Sequence, residues 1–274
     1  MIELPEGIVL AEQIDRELKG KQIISVVANS SPHKFAWYQG NPADYSKIFA
    51  DKEIEQAYSY GGKLHIKLNQ DCGFMFCEGI SVRYCTHKNQ LPKKHQLLIE
   101  FDDATYFICT VRMYGGIYGY TGLLDNEYDH IARTKPSVLS DDFNMKYFME
   151  LLTTAQKPKL SAKAFLATEQ RIPGLGNGVV QDVLFNAGIH PKRDMATLSP
   201  SEVEQLFHSV KETITEMTEH GGRDVETDLY GNPGGYKTIM SKNTYTQPCP
   251  KCGGPIRKEA YLGGSVYYCN ECQK

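Results

Sequence analysis

From Ile8 to Leu18 the apolar residues Ile8, Leu10, Ala11, Ile14 and Leu18 recur at helical spacing, and Gly20 follows as a stop. The pattern predicts a short helix directly behind the opening residues MIELPEG. Between Gln22 and about Tyr120 the period changes to short runs rich in β-branched and aromatic residues: IISVVA, HIKL, FMF, SVRY, QLLIEF and TYFICTV. Gly, Asn, Asp and Pro bound these runs, and FDDATYFICT reads as a hairpin with Asp102 and Asp103 in its turn. This half is therefore expected to be mainly antiparallel β, a sandwich or a barrel. Asp129 to Asp142 is polar, holds Pro136 and serines, and shows no period, as a linker would. Helical spacing returns in FNMKYFMELLTTA, AKAFLATEQ, VVQDVLFNAG and SPSEVEQLFHSVKETITEMTEHG, the last opened by Ser199 as cap with Pro200 at the first helical position. It holds to about Gly222, and no solenoid repeat interrupts it.

A chain of 274 residues can bury a sizeable core and fits two moderate domains better than one. No apolar run approaches the roughly 18 residues of a membrane helix, and the start lacks a signal-peptide pattern, so no membrane role and a cytoplasmic location are expected. The net charge of −3 argues mildly against a partner as acidic as nucleic acid. Three basic stretches qualify that sum: Lys88 to Lys94, Lys157 to Lys163, and Lys192 with Arg193. Any one of them taken alone reads as a solvated face.

The cysteines change the picture more. Cys72, Cys77, Cys85 and Cys109 are scattered, as small buried hydrophobes are in a reducing compartment. Cys249-Pro-Lys-Cys252 and Cys269-Asn-Glu-Cys272 are two Cys-x-x-Cys knuckles with a span of 16 residues between Cys252 and Cys269, enough for a β-hairpin that brings the knuckles together. Four thiolates at that spacing close tetrahedrally around one structural zinc ion and leave no position open for chemistry. A second motif, RIPGLGNGVVQDVLFNAGIHP from Arg171 to Pro191, has a turn of Gly174, Gly176 and Gly178 that opens a helix ending at Gly188. Amides exposed there, with Asn177 as cap, would form an anion site suited to phosphate, although a tight structural turn reads equally well. No strand precedes the turn, which disfavours a dinucleotide fold.

MIELPE at the start, LSDDF at Leu139 to Phe143, GLGN running into NAGIHP, and the terminal four-cysteine hairpin occur in this order along nearly the whole chain. The ordered set resembles the formamidopyrimidine-DNA glycosylase and endonuclease VIII family. The resemblance implies an α+β multidomain fold: an N-terminal antiparallel β-sandwich with a leading helix (1–132), a linker (133–142), a helical helix-two-turn-helix domain (143–240), and a four-cysteine zinc-finger hairpin (241–274). It also implies a monomer that acts on double-stranded DNA, excises oxidised bases and cuts at abasic sites as a glycosylase and lyase of base excision repair.

The target nucleotide must be rotated out of the stack for such chemistry, and in this family the attacking group is the amine at the chain's own start. An α-amino group, with an ordinary pKa near 8, is partly a free nucleophile at neutral pH. By resemblance Glu3 is the acid/base that works on the sugar, and Glu6 positions the terminus. The alternative for both is that acidic residues favour the start of a helix. Lys63 matches the family's lysine beside the lesion phosphate, and Asn177, next to Gly176, matches its phosphate-binding asparagine.

The chain departs from the family pattern in places. Ile2 stands where the family usually has a proline exposed by methionine removal. Aminopeptidases need a small second residue, so Met1 is expected to be retained and to supply the amine. Arg112-Met113-Tyr114 replaces paired arginines before a phenylalanine, which leaves Arg112 for a phosphate and Tyr114 to stack in the gap beside the flipped nucleotide. No methionine wedge is evident near Glu78 to Ile80. Gly264 falls where the zinc hairpin normally carries a phosphate-contacting arginine, with Arg257 or Lys258 as substitutes. His220 to Thr238 occupies the place of the lesion-contacting loop, and a flexible surface loop is its other reading. An alternative function is a family member that binds damaged DNA or structured nucleic acid without excising a base.

Overall fold

The computed structural model describes residues 2–77, 79–155 and 158–274. Helix α1 (Leu4–Leu18) begins four residues before the spacing predicts. Pro5 suits a first turn, where no amide partner is needed, and Glu3 is the extended N-cap residue, with its amide donating to Glu6 Oε2 at 3.1 Å. Leu10, Ile14 and Leu18 form the buried stripe, each burial contributing about 1.5–3 kcal/mol.

Strands β1 (Ile23–Ala28) and β2 (Ala36–Tyr38), helix α2 (Tyr45–Phe49), and strands β3 (Ile54–Tyr60), β4 (Lys63–Leu68), β5 (Cys72–Cys77), β6 (Ile80–Cys85), β7 (Leu97–Phe101), β8 (Tyr106–Val111) and β9 (Gly115–Thr121) complete the first half. They form a four-stranded sheet in the order β1-β7-β8-β6 and a five-stranded sheet in the order β2-β9-β5-β4-β3. Every named pair is antiparallel except β2 with β9. Period-two alternation aims Leu97, Ile99 and Phe101 inward from one sheet, and Ile66, Phe74 and Phe76 are buried on the other. The β7–β8 hairpin turns at Asp102 and Asp103 as expected, and Asp103 is held by Lys21. Cys72, Cys85 and Cys109 are buried and Cys77 half-buried, none of them in a disulfide.

The expected linker is shorter than its composition implied, because helix α3 (Glu127–Thr134) occupies its first part. Asn126 caps it by accepting from the Asp129 amide at 3.0 Å. Asp129 then fixes it to the sheet through His65, whose Nε2 lies 2.8 Å from one carboxylate oxygen, while Arg133, one turn on in the same helix, brings its Nε to 2.7 Å from the other. That anchor is polar and tertiary, so hydrophobic periodicity carries no trace of it. Helices α4 (Met145–Thr154), α5 (Ala162–Ala167), α6 (Val179–Asn186) and α7 (Pro200–Glu219) build a second core around Phe148, Phe165, Val183 and Ile214. Ser199 and Glu202 close a reciprocal cap at the start of α7. Strands β10 (Arg257–Tyr261) and β11 (Gly264–Tyr268) form the C-terminal hairpin over a third, small core with Phe185, Met240 and Tyr267.

His220 to Thr238 has no helix or strand, yet it is not a loose loop. Leu229 is fully buried, its carbonyl accepts from the Tyr84 amide and its amide donates to Gln13 Oε1. Tyr230 bonds Arg16 and Glu17. The segment is a strap laid from the end of α7 across α1 to the sheet. Among the described residues no helix is long and apolar enough to cross a membrane.

Candidate active site

The entry to α1 meets the entry to α6. Glu3 is 5 % exposed, and its two carboxylate oxygens accept the amides of Gly178 at 2.9 Å and Val179 at 2.8 Å, the first amides of α6. The glycine turn is an anion site, but its anion is the chain's own carboxylate. Asn177 is therefore not the cap that the motif implied; Gly178 holds that position, without a side-chain cap bond. The glycines make room for this approach: a Cβ on Gly176 would lie 2.7 Å from the Glu3 carboxyl carbon, and one on Gly178 would lie 1.6 Å from Arg223 Nη1.

Arg223, from the strap, closes the arrangement. Its guanidinium is buried and bonds Glu6 in a fork, Nε to Oε1 at 2.9 Å and Nη2 to Oε2 at 2.7 Å, while Nη1 stands 3.6 Å from Glu3 Oε2. The Arg223 amide also donates to Glu6 Oε1 at 3.1 Å. The two carboxyl groups are driven apart. Burial lifts Glu3, with the Glu6 charge adding to it, and Arg223 and the two amides only partly oppose the rise. At Glu6 burial has the same sense, but Arg223 outweighs it and holds the carboxyl below the usual range. Removing one partner of such a buried pair costs about 3–5 kcal/mol, chiefly from the charge left behind.

Ile2, Glu3, Lys63, Tyr114, Asn177 and Arg223 share the lining of one cleft of about 620 Å³, and Gly176 lies on its wall. Lys63 starts β4 and is 4 % exposed, so it is not an ordinary surface strand lysine. Ile2 is buried in the first core. Asn177 Nδ2 donates to the Ser265 carbonyl at 3.2 Å and so ties the C-terminal hairpin to the start of α6. A Cβ at Gly264 would press on the Asn177 amide at 3.1 Å. Arg112 and Met113 stand exposed beyond β8, with Arg112 Nη1 3.8 Å from Glu226, and Tyr114 leans on the half-exposed Trp37 at a ring separation of 6.2 Å. Glu6 lies behind Glu3. Lys258 stands away from the cleft, its ammonium 5.1 Å over the Tyr245 ring. Met1, Glu78 and Lys157 lie outside the described residues. Lys88, Lys93 and Lys94 are solvated, whereas Lys163 is buried and donates to the Tyr261 carbonyl at 2.6 Å.

Sequence reasoning missed Arg223. It sits in a polar, glycine-rich stretch where one arginine carries no spacing signal, and its partners lie more than 200 positions away.

The four cysteine sulfurs of the hairpin lie within 4.8 Å of one another, with Cys249–Cys272 at 3.7 Å and Cys252–Cys269 at 3.5 Å. These separations are far too long for a disulfide. They match the sulfur–sulfur edges, near 3.8 Å, of a tetrahedron with metal–sulfur bonds of about 2.3 Å. The cluster can hold a metal ion.

Residues 135–228 match the family model of the formamidopyrimidine-DNA glycosylase H2TH domain. The formamidopyrimidine-DNA glycosylase of Psychromonas ingrahamii is 31 % identical over 198 residues, covering 70 % of this chain and 71 % of that relative. The one from Bacillus licheniformis is 27 % identical over 282 residues, with both chains covered completely. Among solved structures, MutM (Fpg) from Thermus thermophilus superposes with a TM-score of 0.81 at 22 % identity, covering 99 % of this chain and 98 % of its own. The Lactococcus lactis Fpg in complex with abasic-site DNA reaches 0.82 at 23 % identity, with 99 % of each chain covered.

Proposed function

The chain belongs to the formamidopyrimidine-DNA glycosylase family, and from that premise we propose that it excises oxidised bases from double-stranded DNA and cuts the strand at the abasic site. The observation that carries this reading is Glu3: a buried carboxylate at the wall of a cleft, seated on two helix-start amides and lifted above the usual carboxylate range. A carboxyl raised by burial while its neighbour Glu6 is held low is the one of the two placed to take and return a proton. The flipped nucleotide enters the cleft, and the amine at the head of the chain attacks the sugar carbon that bears the base. The base departs, and the ring carbon–oxygen bond of the sugar opens as the amine's electron pair closes the Schiff base, with Glu3 delivering a proton to the ring oxygen. Loss of a proton from the neighbouring carbon then expels the 3′-phosphate and cuts the strand. Glu6, paired with Arg223, stays charged and fixes the first turn.

Lys63 and Asn177 hold the phosphate beside the flipped nucleotide, Arg112 meets a further phosphate, and Tyr114 fills the gap left in the stack, supported by Trp37. Lys258 serves the backbone from the hairpin. The division at 1–132, 133–142, 143–240 and 241–274 is adopted as the domain plan, with α3 counted to the first unit although its last residues cross that line. Cys249, Cys252, Cys269 and Cys272 bind one zinc ion, which holds the hairpin. The protein works as a cytoplasmic monomer.

Borohydride reduction in the presence of duplex DNA with an abasic site is expected to trap a covalent complex, and peptide mapping to place the adduct on the terminal amine. An adduct on an internal lysine would overturn the terminal-amine step. Tight binding with no adduct would overturn the enzymatic reading.

DNA affinity is expected to fall with salt. Lys63→Ala and Arg112→Ala should each lower the slope of log affinity against log salt by about one, the signature of one lost phosphate contact. Equal slopes in wild type and both variants, measured by fluorescence anisotropy, would remove these residues from the interface.

A further inference from the structure

We infer that Arg223 is a positioning residue for the proposed reaction: through its fork on Glu6 and its approach to Glu3 it sets the orientation and proton affinity of the carboxylate at the cleft wall. The inference rests on the reading of Glu3 as acid/base.

Three features support it. The guanidinium is buried and asymmetric in its grip, with two short bonds to Glu6 and a longer approach to Glu3. An even clamp would hold both carboxylates ionised; this one fixes the charge of Glu6 and leaves Glu3 able to take a proton. The backbone is arranged for it. Gly178 admits Nη1 into space that any Cβ would fill, and the Arg223 amide repeats the contact of its side chain with Glu6. The strap that carries Arg223 is itself pinned at both sides. The Gly222 amide donates to the Met217 carbonyl at 2.8 Å, and the Asp224 amide to the Tyr236 carbonyl at 2.9 Å.

Among the described residues, three other charged groups face the pair. Glu226 acts on Arg223 from the same strap, Lys63 shares the cleft from β4, and Asp182 of α6 feels Arg223 while accepting the amides of Ile239 and Met240. Among the described residues, Arg223 is the cation that both Glu3 and Glu6 feel most strongly. Its removal leaves two buried carboxyl groups to share a proton, so the acid limb of the rate profile must move to higher pH.

The test compares wild type with Arg223→Met, Arg223→Lys and the double variant Arg223→Met with Glu6→Gln, which removes both partners of the buried pair. Cleavage of abasic duplex by Arg223→Met is expected to slow about tenfold or more at neutral pH, with its acid limb moved upward, unchanged duplex affinity, and partial rescue by Arg223→Lys. In carbon-13 NMR of labelled glutamates, the Glu3 and Glu6 carboxyl resonances should titrate at higher pH in Arg223→Met. A folded Arg223→Met protein with the wild-type profile and titrations would overturn the inference. Where Arg223→Met does not fold, the double variant is set against Glu6→Gln alone: cleavage slower than in Glu6→Gln supports the positioning role, and a rate equal to it overturns the role. Wild-type protein that leaves abasic DNA intact would sink the proposed function, while the carboxyl titrations would still decide whether Arg223 controls Glu3.

Discussion

Glu3→Gln is expected to lower single-turnover strand cleavage by about 10²–10⁴-fold, the range that a positioned proton-transfer group contributes. The substitution is nearly isosteric, so the loss has to come from chemistry and from one local mismatch. Each oxygen of Glu3 accepts one α6 amide, and glutamine has only one oxygen; its NH₂ would face a second donor. That mismatch costs about 1–3 kcal/mol, a tolerable loss for a chain of this size. The pH dependence carries the sign that separates the two effects. Burial lifts the Glu3 carboxyl above its unfolded value against the pull of Arg223. Its contribution to stability is present below the unfolded pKa and fades as pH rises through the folded one. Glu3→Gln should therefore lose the limb of the rate profile that lies above the ordinary carboxylate range, and lose that slope of stability with pH. Glu6 has the opposite sense: its carboxyl is held low, and its stabilisation fades as pH falls. Stopped-time cleavage assays across pH, paired with thermal melts, read both. Wild-type cleavage by a folded Glu3→Gln protein would remove Glu3 from the mechanism.

The parts of this molecule that were legible in the sequence are those whose cause is local. The β7–β8 hairpin was readable because Asp102 and Asp103 interrupt two runs of alternating apolar residues. The α7 start was readable because Ser199, Pro200 and Glu202 act within one turn. The four cysteines announced their site because Cys-x-x-Cys fixes two ligands by chain geometry alone. The start of α1 was hidden because Leu4 and Pro5 precede the periodic residues and their helix is secured by Glu6 and by the Gly174 carbonyl, which accepts from the Leu4 amide at 2.9 Å. Helix α3 was hidden because its anchor is a polar contact to His65, 64 positions away (129 − 65). The site divides in the same way. Family resemblance named Glu3, Glu6, Lys63 and Asn177, and the fold gathers Glu3, Lys63 and Asn177 on one cleft with Glu6 behind them. What no motif carried is that the glycine turn seats Glu3 itself, and that Arg223 mediates between the two acids. Both depend on contacts between segments far apart in the chain.

Removal of the proposed zinc ion, by chelation or by Cys252→Ser, is expected to release the C-terminal hairpin and to weaken duplex DNA binding tenfold or more while the β-sandwich stays folded. The hairpin has strands of five residues each and a core of a few side chains around Met240, Ile256 and Tyr267. A unit that small does not hold itself by burial. Structural zinc in four-ligand sites contributes an apparent 10–16 kcal/mol or so at neutral pH, which exceeds anything that core can offer. The consequences reach the cleft because the hairpin grips both ends of α6. At its start, Asn177 and Gln181 donate to the Ser265 carbonyl at 3.2 and 3.0 Å, and the Tyr267 amide returns a bond to Gln181 at 3.0 Å. At its end, Gln273 and Lys274 pair with the backbone of Gly188, Ile189 and His190. With the metal gone, Asn177 loses its bond to the hairpin and Lys258 loses its place, so two of the proposed phosphate contacts go together. The first core, which encloses Ile14, Phe76 and Phe107, contains no residue of the hairpin, so its melting transition should persist. Metal content by plasma emission, a two-transition thermal melt and anisotropy with duplex DNA test this in one preparation. Wild-type protein that is folded, metal-free and unchanged in DNA affinity would refute both the metal assignment and the coupling of the hairpin to the site.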